Sequence, residues 1–116
     1  MDTSYQVIFC IVNTGFSDTA MTAAKKCGAG GGTVIHARGT ANSEAEKLFH
    51  ITVDPEKEIV MILVPVSLTD TVLHALYREV GLSTPGQGIA FTLPVEKAVG
   101  LSDTAAAGGT EETPVP

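Results

Sequence analysis

Residues 6–12 are apolar with one interruption and rich in β-branched side chains, the pattern of a central strand covered on both faces. Asn13, Thr14 and Gly15 break that run. Ala20, Met21, Ala24 and Cys27 then recur at helical spacing, with Ser17 placed to cap the first free amides and Gly28 to stop the last turn. The helix this predicts is short and alanine-rich, so it can lie close to a sheet. Gly28, Gly30, Gly31 and Gly32 lead into a second predicted strand over residues 33–37. Residues 39–47 are small, polar and charged, which predicts an exposed, mobile loop. Phe49, Ile51 and Val53 alternate with His50 and Thr52, as in a strand with one wet face, and residues 54–57 turn the chain at Pro55. Residues 59–66 predict another buried strand. Ser67 with Asp70 reads as a capping pair for a second helix, whose apolar stripe Leu68, Val72, Leu76 and Val80 ends at Gly81. Residues 89–93 predict a last strand; Pro94 restricts further pairing and residues 95–101 form at most a brief extension.

The order β-α-β-β-α-β sets two βαβ halves around one hairpin. Right-handed crossovers then give an α+β, ferredoxin-like sandwich with both helices on one face of the sheet. No helix remains for the other face, yet the strands over residues 6–12, 59–66 and 89–93 are apolar on both sides, so a homo-oligomer is expected. The 116 residues suffice for one domain, residues 1–101. From Ser102 the chain turns to Ala, Gly, Thr, Glu and Pro, and residues 102–116 are expected to form a disordered acidic tail.

Charge narrows the partners. The net charge is −6 and the seven basic residues are scattered, so the positive stripe that nucleic acid requires is missing. The apolar runs are too short to span a bilayer, which argues against membrane insertion. Cys10 falls mid-strand and Cys27 at a helix end; they read as two buried thiols of a reducing compartment, and the cytoplasm is the expected location.

A helix stop needs one glycine, so the run from Gly28 to Gly32 points to backbone amides left bare for a ligand. Gly86, Gln87 and Gly88, after Pro85, form a second such turn. Neither is a phosphate loop of the Gly-Lys-Ser/Thr type, and the first lies between helix and strand, the reverse of the dinucleotide-binding order. His36 and Arg38 share one face of their strand, which reads as a solvated sheet face, a salt bridge across a subunit boundary, or a contact to an anion. His50 and His74 have no second ligand at metal spacing. Ser17, Ser67 and Thr33 lack a His/Asp arrangement, and Glu44, Glu46, Glu56 and Glu58 read as solvated charge on a loop and a turn. No catalytic residue stands out, and an enzyme is not expected.

Gly31-Gly32-Thr33-Val34 through Gly39, the loop that follows, the strand over residues 59–64 and the turn Gly86-Gln87-Gly88 before Phe91 together resemble the PII signal-transduction family, over roughly residues 5–101. The resemblance implies a cytoplasmic homotrimer without a resident cofactor that binds an adenine nucleotide (AMP, ADP or ATP, with or without Mg²⁺) in clefts between subunits. A mobile T-loop would touch a target protein, a transporter or an enzyme, as in nitrogen regulatory proteins. On the family pattern Gly31, Gly32, Thr33, Val34, His36, Arg38, Val64, Gly86, Gln87 and Gly88 would form the nucleotide site. The T-loop would be Thr40, Ala41, Asn42, Ser43, Glu44, Ala45, Glu46 and Lys47, shorter than in nitrogen-regulating members and without their modified tyrosine, so uridylylation is not expected. Where the family carries a lysine and two arginines toward phosphate, this chain has Ile89, Gly100 and Ser102. A charge-assisted hydrogen bond is worth roughly 1.5–3 kcal/mol, so three losses would weaken triphosphate binding by orders of magnitude unless Arg38, His36 or Lys97 substitutes. A less charged ligand such as AMP or ADP, or a different anion, is therefore favoured. The alternative reading is a structural oligomerisation module whose glycine turns serve packing alone.

Overall fold

The computed structural model describes residues 4–40 and 56–101. The predicted strand over residues 49–53, loop residues 41–47 and the tail lie outside the described residues. β1 (Tyr5–Asn13), β2 (Thr33–Arg38), β3 (Glu56–Pro65) and β4 (Gly88–Val95) form one antiparallel sheet in the order β2-β3-β1-β4. α1 (Ser17–Lys26) and α2 (Val66–Leu76) connect them, and α2 continues into a π-helical turn, Tyr77–Gly81. This is the ferredoxin-like arrangement expected: β1 and β3 are central, and β2 and β4 are the edges.

The period-two alternation of the central strands decides what lies inside. Ile8, Cys10 and Val12 of β1 and Val60, Ile62 and Val64 of β3 are fully buried, together with Ala20 and Ala24 of α1 and Val72 and Leu76 of α2. Burying each Ile, Leu or Val side chain contributes about 1.5–3 kcal/mol. The small side chains Ala20, Ala23 and Ala24 let α1 approach the sheet closely, as its composition predicted.

The intervening residues of the central strands, Val7, Phe9, Ile11, Ile59, Met61 and Leu63, turn to the opposite face. Their β4 neighbours Ile89, Phe91 and Leu93 are exposed at 55%, 40% and 48%. Phe9 stacks on Phe91 with ring centroids 5.5 Å apart. Among the described residues no helix covers this face, so the sheet presents a continuous apolar surface.

Several boundaries differ from expectation for local reasons. Neither helix is capped by its serine: α1 is preceded by Phe16 and α2 by extended Pro65, neither of which offers a capping side chain. Val66 and Ser67 are already helical, because Pro65 supplies a fixed φ at the entry and the Val66 amide donates to the Ser4 carbonyl. Glu56 and Lys57 belong to β3 rather than to a turn, since the ladder with β2 reaches both and that with β1 reaches Lys57. Pro94 does not end β4. It occupies an edge strand, where a missing N–H is tolerated, and pairing runs on to Val95 opposite Tyr5. No regular element follows over residues 97–101.

Candidate functional site

The first glycine turn carries the chain from α1 to the edge strand β2. Gly28 ends the helix at φ +109°, its amide donating to the Lys25 carbonyl. The other glycines separate by physical cause. A methyl group on Gly32 would sit 2.6 Å from the Met61 carbonyl oxygen and 2.7 Å from the Met21 methyl, so that glycine is demanded by packing. Gly31 stands in open space at φ +146°, a conformation that disfavours side chains. Gly30 has neither constraint: its φ is ordinary and nothing lies within 4 Å of where a Cβ would be. It is the glycine whose absent side chain the protomer itself does not require, and only its neighbours in space, not its place in the run, distinguish it.

The second turn leads into the opposite edge. The Gln87 amide donates to the Thr84 carbonyl at 3.1 Å, Gly86 takes φ +82° and Gly88 φ +150°. Gly88 lies directly against β1, where a Cβ would fall under 3.0 Å from the Ile11 carbonyl oxygen, whereas Gly86 faces open space. The Gln87 side chain folds back, donating to the Val80 carbonyl at 3.2 Å, and so braces the turn on the π-helical segment. The turn is also tied to the centre of the sheet. Asn13 Nδ2 donates to the Gly86 carbonyl at 3.3 Å, and Asn13 Oδ1 accepts from Lys57 Nζ at 2.6 Å. Lys57 was not among the expected site residues.

Register places the expected residues. One row across the sheet reads Thr33, Met61, Phe9, Phe91, and another reads His36, Glu58, Val12, Gly88. The two glycine turns thus occupy opposite edges, about 14 Å apart across the strands, so one protomer does not bring them together. Val34, His36 and Arg38 share a face of β2 and are all exposed. Val64 is fully buried beneath the helices, so its side chain packs in the core and is out of reach of a ligand at the surface. Thr40 is exposed at the end of the described β2 segment.

Glu58 overturns the reading of solvated charge. It is 7% exposed, and its Oε1 accepts from the amides of Gly15 at 3.1 Å and Ser17 at 3.3 Å, filling the role the missing serine cap left open at the start of α1. Hydrogen bonds from the Ser17 hydroxyl first, then from the Gly15 amide, hold its carboxyl below the usual glutamate value. His36 Nδ1 lies 3.9 Å from the other carboxylate oxygen, within the same chain rather than across a subunit boundary. No sequence spacing announces this pair; only the β2–β3 register does.

A groove of about 740 Å³ opens between α2, the π-helical turn and β4, lined by Asp70, Leu73, His74, Tyr77, Leu82, Gly88, Ile89 and Ala90. Its lining contains Asp70 and no Lys or Arg, which does not suit a phosphate, and of the expected ligand residues it includes Gly88 alone. Among the described residues no three His, Cys, Asp or Glu side chains gather as a metal cluster, and no helix is long and apolar enough to cross a membrane.

Compared with known proteins, the sequence matches no family model and no curated protein. The structure is similar to that of a PII protein from Arabidopsis thaliana bound to citrate, with a TM-score of 0.62 at 23% identity over 81% of this chain and 79% of that one. The likeness establishes a PII-like fold.

Proposed function

We propose that the chain is a PII-like regulatory protein, a cytoplasmic homotrimer that takes an adenine nucleotide between subunits and answers to it by docking on a partner protein through the loop after β2. One observation carries the reading: both glycine turns sit at sheet edges, on opposite sides of one protomer, and the sheet has one uncovered apolar face. β4 runs antiparallel to β2, so the β4 edge of one copy can meet the β2 edge of the next in a closed, head-to-tail ring. Turning Phe9, Phe91, Ile11 and Ile89 inward buries the apolar face. The nucleotide would then lie along this seam, from Gly30, Gly31 and Thr33 of one copy toward Gly86 of its neighbour. Arg38 and Lys57 then supply positive charge, in place of the cations replaced by Ile89 and Gly100. The work proposed for this site is recognition rather than catalysis.

The citrate in the PII neighbour supports a second ligand class, a polycarboxylate anion. Sedimentation velocity and calorimetry with AMP, ADP, ATP, cyclic dinucleotides and citrate test both. A trimer that binds an adenine nucleotide, and whose Gly30→Ala variant stays trimeric while losing affinity, is the expected result. Native binding in Gly30→Ala would take the first glycine turn out of the site, and no heat from any of these ligands at millimolar concentration would leave an oligomerisation module in its place.

A further inference from the structure

The turn between β1 and α1 is hydrogen-bonded to three successive residues of β3: the Thr14 amide donates to the Glu56 carbonyl at 3.3 Å, Asn13 accepts from Lys57, and Gly15 and Ser17 donate to Glu58. Asn13 is the member of this junction that also reaches the Gly86 turn. A carboxamide has one acceptor end and one donor end, and here the two ends are spoken for by different elements: an ammonium at 2.6 Å that only the oxygen can accept, and a carbonyl at 3.3 Å that only the NH₂ can satisfy. Rotation of the amide by half a turn would break both contacts at once.

We infer that Asn13 is a positioning residue that locks the Gly86 turn to the first residues of β3, so that an anion ligand held at the turn and the root of the β2–β3 hairpin are energetically coupled within one protomer. The ligand half of this inference rests on the proposed function, because it takes Gly86 as part of the binding turn. The mechanical half does not. Loss of Lys57 leaves the Asn13 oxygen without its anchor, frees the amide to rotate and so releases Gly86. Loss of the Asn13 donor releases Gly86 while leaving Lys57 held. Coupling of this kind is reciprocal: whatever steadies the Gly86 turn must steady Lys57 by the same factor.

Amide hydrogen exchange on the full chain, in native protein and in the variants Asn13→Ala, Asn13→Asp, Lys57→Met and Asn13→Ala/Lys57→Met, tests the mechanical half. Each single variant should speed exchange at Gln87 and Gly88 by roughly three- to tenfold, the worth of a neutral hydrogen bond, and the double variant should add nothing further. Asn13→Asp keeps an acceptor for Lys57 but cannot donate, so it should match Asn13→Ala at Gln87 and Gly88 while leaving Lys57 and Glu58 protected as in the native protein. Independent, multiplying effects of the Asn13 and Lys57 substitutions, or native exchange at Gly88 in Asn13→Asp, would overturn the coupling. The ligand half is read with ADP: affinity should fall about three- to tenfold in Asn13→Asp at unchanged melting temperature and assembly. Native ADP affinity in that variant overturns it. Absence of ADP binding in native protein instead removes the proposed function and the ligand half together, while the exchange cycle still decides the rest.

Discussion

Replacing Gly88 by alanine puts the packing of β4 on β1 to a quantitative test. The backbone there has φ +150°, a region almost reserved for glycine, which costs an L-residue about 1–3 kcal/mol. The added methyl also meets the Ile11 carbonyl oxygen at less than 3.0 Å, with a Leu82 methyl at 3.2 Å on another side. A backbone oxygen inside a ladder cannot swing away as a side chain can, so the strands must part locally, adding about 1–3 kcal/mol by analogy with an overpacked core. The sum, roughly 2–6 kcal/mol, is a large share of the ~5–15 kcal/mol by which a domain of this size is stable. Thermal unfolding followed by circular dichroism should show a midpoint lower by roughly 10–25 °C. Gly30→Ala, with ordinary φ and open space, should unfold within a few degrees of the native protein or slightly higher, since alanine narrows the unfolded ensemble. Equal melting temperatures for Gly88→Ala and Gly30→Ala would refute the reasoning, because they would mean that Gly88 does not lie against Ile11.

Three further outcomes are expected. The Glu58 carboxyl is held below its ordinary value in the folded chain, so the unfolded chain binds the proton more readily; stability is therefore full above the usual glutamate range and falls as pH drops through and below it, and Glu58→Gln should flatten that acid limb in urea titrations at successive pH values. Phe91→Glu, on the uncovered face beside Phe9, should leave a folded protomer that sediments as a monomer, and a trimeric Phe91→Glu protein would contradict burial of that face. Burial raises the Cys10 thiol to about 11, whereas Cys27 is half-buried at the end of α1, so a thiol reagent at neutral pH should modify Cys27 and reach Cys10 only when the chain unfolds.

The elements that the sequence announced are those whose signal is local. Near-continuous apolar runs made β1 and β3 legible, the helical spacing of Ala20, Met21, Ala24 and Cys27 made α1 legible, and Gly81 at φ +80° ends the second helical segment where the apolar stripe stopped. What remained hidden depends on partners distant in the chain. Glu58 caps α1 from more than 40 residues away, so neither the serine beside the helix nor the spacing around the glutamate could reveal it. Gly30, Gly31 and Gly32 look alike in the chain; Gly32 is told apart by Met61, which the register of β2 on β3 brings near it, and by Met21 of α1, and Gly31 by its φ. Lys57 entered the candidate site for the same reason, through a single contact with Asn13.

β2 is a ribbon with little beneath it: five of its six residues are exposed and the sixth is half-buried, so the ladder to β3 is its principal tether. A strand so thinly clad frays in isolation and stiffens in company. If its company is another copy, dilution becomes an antagonist. The dose of effector needed for half-occupancy should climb as the protein is thinned toward its dissociation threshold, although no atom of the recognition surface has been altered.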